Sequence, residues 1–86
     1  MNVLEQFNVR PVYVLNIRRD YEDEKDFDVE IFLTETKAKL RMKEIYEEEK
    51  AYMFPEIRIE DVYDDYMAIN DNYNFFTLYI KEVKPK

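Results

Sequence analysis

Between Thr34 and Phe54 the apolar residues Ala38, Met42, Ile45, Tyr46, Tyr52 and Met53 fall at offsets of 0, 4, 7, 8, 14 and 15. That is one face of a 3.6-residue repeat, and it predicts a helix. Thr34 or Thr36 serves as its N-cap, because a hydroxyl there accepts a hydrogen bond from an otherwise orphaned backbone N–H. Leu33 is placed to pack back on Ala38 as a hydrophobic staple. Pro55 ends the element, since the residue before a proline is pushed out of the α region.

The flanking segments change period from 3.6 to 2. Pro11 to Arg18 reads as a strand by its β-branched and aromatic content. Its two faces, Val12/Val14 and Tyr13/Leu15/Ile17, are both apolar, which predicts an interior position. Asp26 to Thr34 alternates, with Phe27, Val29, Ile31 and Leu33 expected to face inward and Asp28 and Glu30 outward, as the hairpin partner of the first strand. After the helix, Glu56 to Val62 alternates with Ile57 and Ile59 on one face. Phe75 to Val83 is the closing strand, Phe76/Leu78/Ile80 on one face and Phe75/Thr77/Tyr79 on the other. Tyr63 to Asn74 is open between a wide loop, a helical turn and a continued strand, with Asn70-Asp71-Asn72 as its turn. Residues 1–9 carry Val3, Leu4 and Phe7 and form either a short helical turn or a strap.

The expected fold is therefore α+β, β-β-α-β-β, a mainly antiparallel sheet with one helix on one face. At 86 residues it is a single domain, 1–86. One helix covers one face only, yet the first and last strands are apolar on both. The remaining face needs either the lead-in or a second molecule to cover it.

Composition narrows the chemistry. Cysteine and histidine are both absent, which removes disulfides, thiol chemistry, the usual zinc sites and the commonest general base near neutral pH. Glycine is absent too, so phosphate-cradling Gly-rich loops are excluded and left-handed turn positions fall to Asn or Asp. No cofactor is expected. The N-terminal stretch does not read as a signal peptide and no segment reaches the length of a membrane span, which predicts a cytoplasmic protein without membrane contact.

Asp20, Glu22, Glu24, Asp26 and Asp28 follow the odd spacing of a calcium loop. The sixth position would be Lys25 where glycine is needed, and the twelfth Ile31 where glutamate is needed. Asp61, Asp64 and Asp65 are the only carboxylates suggesting a minimal hydrolase, and a short sheet with one helix offers them little cleft. The expected protein is not an enzyme.

The charge balance, 20 acidic against 13 basic residues and net −7, disfavours direct nucleic-acid binding. It favours the inverse, an acidic surface occupying a basic site. On one strand face Asp26, Asp28 and Glu30 would lie about 6.6–6.8 Å apart, similar to successive backbone phosphates. The candidate contact residues are Asp20, Tyr21, Glu22, Asp23, Glu24, Asp26, Asp28 and Glu30 in one group. Glu60, Asp61, Tyr63, Asp64, Asp65 and Tyr66 form the other. The helix is unusual in carrying Lys37, Lys39, Arg41 and Lys43 in its first half and Glu44, Glu47, Glu48 and Glu49 in its second, against its macrodipole. Acidic groups upstream are candidate partners for the basic half.

In layout, from the strand pair through the TETKA helix entry at Thr34–Ala38 to the aromatic closing strand Phe75–Ile80, the chain resembles short, acidic, Tyr- and Asn-rich proteins of phages and mobile elements of low-GC Gram-positive bacteria. The resemblance implies a host-takeover or anti-CRISPR-type inhibitor that binds a host protein and inhibits or redirects it; the acidic surface adds the expectation of a DNA mimic on a basic nucleic-acid-binding host protein. It carries over no functional residue. The alternative is an assembly subunit that self-associates, as a homodimer for instance, through an apolar sheet face.

Overall fold

A computed structural model describes residues 10–54 and 56–84. The readings of the 1–9 lead-in and of Pro55 lie outside these residues, as does the side chain of Met53. Five strands and one helix follow in the order β1 (Val12–Asp20), β2 (Lys25–Phe32), α1 (Glu35–Met53), β3 (Ile59–Val62), β4 (Tyr66–Asn70) and β5 (Phe75–Val83). All strand pairs are antiparallel and the sheet order is β2-β1-β5-β4-β3. The α+β class, the antiparallel sheet and the helix on one face are those the patterning predicts. The open stretch at Tyr63–Asn74 resolves into a tight turn, the strand β4, and a second turn.

The helix begins as read, with the Thr34 hydroxyl accepting from the Lys37 N–H at 3.3 Å. Ala38, Met42, Ile45 and Tyr46 are buried against the sheet. Two of the expected contacts are not made: Leu33 is 80% exposed, so there is no staple, and Tyr52 is 85% exposed. The residue that completes the inner face, one turn after Ile45, is Glu49.

The core is two-layered. Leu15 and Ile17 of β1, Phe76 and Leu78 of β5, and Met67 and Ile69 of β4 meet the inner face of α1, closed at the top by Tyr21 and Phe54. The rings of those two stand edge to face, 5.8 Å apart. Each of these side chains contributes roughly 1.5–3 kcal/mol by leaving water. As predicted, β1 is interior; of the two faces read for β5, the structure turns Phe76/Leu78 inward and Phe75/Tyr79 outward.

The prediction for β2 is inverted. Cross-strand partners share a face, and Leu15 pairs with Glu30, Ile17 with Asp28 and Arg19 with Asp26. The carboxylates therefore lie on the helix side, while Phe27, Val29 and Ile31 lie on the other. Parity is fixed by the hairpin, whose loop is closed by Tyr21 N–H to Glu24 O at 2.8 Å and the reciprocal bond at 3.3 Å, leaving Asp20 opposite Lys25. A one-residue slip would exchange every side chain between faces. Ile59 likewise points away from the helix, separated from the half-buried Ile57.

The turns need no left-handed residue. No described residue has positive φ, so the expected use of Asn or Asp for such positions is not realised. Asp71 instead closes the β4–β5 turn through its side chain, accepting from the N–H groups of Tyr73 and Asn74 at 2.8 Å each. Those hydrogen bonds, Tyr73 first, hold its carboxyl below the usual range. No helix among the described residues is long and apolar enough to cross a membrane.

Candidate protein-interaction surface

The helix-side face of the sheet has an apolar centre and charged margins. At the β2 margin, Arg41 Nε of α1 donates to Glu30 at 3.0 Å and its Nη1 donates to Glu44 at 2.9 Å. Arg19 Nη1 lies 3.7 Å from Asp26. At the β3 margin, Glu60 accepts from Tyr46 and from Lys50, the latter at 2.7 Å. The hydrogen bonds from Lys50 and then Tyr46 hold the Glu60 carboxyl below its ordinary range. The basic half of the helix thus finds an acidic partner upstream, as its reversed charge order suggests. The proposed phosphate-like stripe is largely committed within the fold. Of its three carboxylates, Glu30 and Asp26 are ion-paired, and Asp28 caps its neighbour's N–H at 2.8 Å.

Tyr21, one of the candidate contact residues, is buried. Its hydroxyl donates to Glu49 at 2.6 Å, and Arg19 grips the same carboxylate through Nε at 2.9 Å and Nη2 at 3.2 Å. Burial pushes Glu49 up, but the hydrogen bonds from Arg19 and Tyr21 outweigh it and leave the carboxyl below its usual range. Burial, then the bond to Glu49, raises the Tyr21 phenol well above normal. Arg19 also lies over the Phe76 ring, 5.2 Å from its centroid. This cluster fastens the end of α1 to β1, and nothing in it faces a ligand.

The remaining carboxylates are divided between the two ends of the sheet. Glu22, Asp23 and Glu24 sit on the β1–β2 loop, held beside the β4–β5 turn by Glu22 N–H to Asn74 at 3.0 Å. Asp64 and Asp65 occupy the β3–β4 turn at the opposite end, beside Tyr63 and Tyr66, whose rings are 6.4 Å apart. The five residues of β4 separate the two turns, about 17 Å at ~3.4 Å per residue. Asp61, Asp64 and Asp65 do not converge either. Asp61 shares a face with Ala68 and Thr77, while Asp64 is 3.8 Å from Lys39 on the helix side. No group of three or more carboxylates is placed to hold a metal ion among the described residues.

The opposite face of the sheet carries what the sequence reading assigned to the core. Across it run the rows Phe27–Arg18–Thr77–Ala68–Asp61, Val29–Asn16–Tyr79–Tyr66, Ile31–Val14–Lys81 and Val12–Val83. Phe27, Val29, Ile31, Ile59, Tyr66, Phe75, Tyr79 and Val83 are exposed there, Ile31 by 65%. Only Tyr66 of these was among the candidate contact residues. The signal that could have found the others is the two-sided apolarity of β1 and β5, which requires a second apolar layer. No family model, curated protein or solved structure matches this chain, so its function rests on this geometry.

Proposed function

We propose that this chain is a non-enzymatic binding protein that works by engaging another polypeptide, and that the open sheet face is its contact surface. One observation carries the reading: eight large apolar or aromatic side chains are exposed together on one face of the five-stranded sheet. Contiguous apolar surface on that scale marks an interaction site. Tyr and Phe dominate it, the residues that bring most contact area for least conformational entropy. In its biological setting the role is that of a phage-type cytoplasmic factor that binds a host protein and inhibits or redirects it.

A second reading keeps an acidic mimic of nucleic acid. It is favoured by the Asp64 side chain, 94% exposed at the β3–β4 turn, and by the exposed Glu22–Glu24 loop at the other end. In this form a basic partner is contacted at the two ends rather than along β2.

Capture experiments with purified candidate partners at 50 and 500 mM NaCl separate the two. The face reading expects salt-tolerant binding that is lost in Ile31→Glu and kept in a variant neutralised at Asp23, Glu24, Asp64 and Asp65. The opposite pattern, salt-sensitive binding lost only on neutralisation, overturns it in favour of the mimic.

A further inference from the structure

We infer that, in the free protein, the occupant of the open sheet face is a second copy of this chain, paired face to face. The inference rests on the reading of that face as a contact surface and names what it contacts.

Area is sufficient. At about 3.4 Å per residue and ~4.8 Å between strands, the 35 strand residues cover roughly 570 Å² of sheet. Two copies then enclose on the order of 1,100 Å², above the ~1,000 Å² that a specific interface needs. Two stacked sheets also pack well at the natural twist, inclined by about 30° with side chains interleaved.

Charge permits this pairing where it forbids others. The chain carries −7. The open face carries Arg18, Lys25 and Lys81 against Asp20 and Asp61, a net of +1. Self-pairing on that face therefore sets little net charge directly against itself, and salt screens the repulsion between the two −7 chains. Its central polar residue, Asn16, is already satisfied, its amide donating to the carbonyls of Val14 at 3.3 Å and Tyr79 at 3.4 Å. Closing the face orphans no buried donor there.

The other route to self-association is extension of the sheet through the long edge strand β2. A two-fold antiparallel β2–β2 pair sets residues of equal parity opposite each other, so Asp26, Asp28 and Glu30 would meet only Asp28, Glu30, Asp26 or Phe32 of the second copy. Directly opposed like charges destabilise a strand pair, and charged edges are how native sheets prevent such growth. The edge is guarded, and the face is not.

Sedimentation velocity on the full chain from 10 to 500 µM, at 150 and 500 mM NaCl, tests this. A species of twice 10.7 kDa should form in the micromolar range and persist at the higher salt. Ile31→Glu should raise the dissociation constant at least tenfold, with Phe27→Ser as a milder second variant and circular dichroism confirming that both are folded. Asp28→Val, which weakens the edge guard, should leave the face dimer in place. A dimer that survives both face variants overturns the inference, and so does a monomer at 500 µM. For a monomer, a paramagnetic co-solute distinguishes the causes. Broadened Val29 and Ile31 methyl signals leave the contact-surface reading standing and remove only the second copy. Protected methyls that become exposed when residues 1–9 are deleted remove both.

Discussion

Replacing Glu49 by alanine tests how much of the fold hangs on one carboxylate. Glu49 receives two hydrogen bonds from Arg19 and one from Tyr21, with only 16% of its side chain exposed. A hydrogen bond to a charged group is worth about 1.5–3 kcal/mol net, and breaking a fully buried pair costs about 3–5 kcal/mol. Here Arg19 is not stranded. A quarter of its side chain reaches solvent, and Asp26 and the Phe76 ring remain beside it. The expected loss is therefore about 2–3 kcal/mol, between the buried limit and the ~1 kcal/mol ceiling of exposed pairs. For a domain of this size that lowers Tm by roughly 8–24 °C, at about 4–8 °C per kcal/mol.

The same variant has a pH signature. The folded Glu49 carboxyl is depressed below its unfolded value. Its contribution is thus fully present above pH ~4.3, where the unfolded group is ionised, and is lost as pH falls through the folded value. Urea unfolding of the native chain and Glu49→Ala should show the full gap at pH 7 and a shrinking one below about pH 4. Glu60 and Asp71 are depressed as well, so both proteins keep some acid sensitivity. A gap under 0.5 kcal/mol at pH 7, or one that does not narrow in acid, refutes the role given to this carboxylate.

Four smaller perturbations check the rest of the packing. Tyr46→Phe deletes the hydroxyl that donates to Glu60 and keeps the buried ring, so chemical denaturation should show a loss of about 1 kcal/mol. Thr34→Ala removes the N-cap and should cost about 0.5–1 kcal/mol, the lower half of the capping range because its bond is 3.3 Å long. Leu33→Ser and Tyr52→Ser should each stay within about 0.5 kcal/mol of the native chain in thermal melts, since both side chains stand in solvent. A larger loss from either would restore the packing that periodicity assigns them.

Legibility in the sequence followed how many neighbours a segment has. In β1 and β5 the register of two partners and the helix agree with the alternation, and the division of their residues into two faces was readable in advance, though not which face the helix covers. In β2 the alternation is just as clean but carries no sign, because period 2 offers two faces and does not say which one the helix covers. Hydrophobicity selects Phe27, Val29 and Ile31 for the core. The four-residue loop after Asp20 fixes the opposite parity, and Arg19 and Arg41 make carboxylates on the helix side tolerable. Glu49 was missed for a related reason: it sits in the inner stripe of α1, where an acid reads as an interruption until Arg19 and Tyr21 are seen to converge on it. The candidate contact residues of the loops were placed at the surface, apart from Tyr21. Their division between two separate turns was not legible, because it depends on which ends of the strands adjoin.

The geometry of one helix on five strands explains why a second layer is needed at all. Nineteen residues of α1 make a rod about 28 Å long and ~10 Å wide, matched to the length of β1 but to less than half the width of the sheet. On its own side the sheet answers this with charged margins, Glu60 on β3 and Asp26, Asp28 and Glu30 on β2, so that the apolar strip is no wider than the helix that covers it. On the other side the margin is thinner, a single charge on each edge strand, Lys25 on β2 and Asp61 on β3. Phe27, Val29 and Ile31 carry the apolar surface out to the β2 edge, and Ile59 carries it onto β3. A face meant for water would show the polar margin that the helix side shows. So thin a margin on one side of the same five strands supports the proposal that the open face is a contact surface.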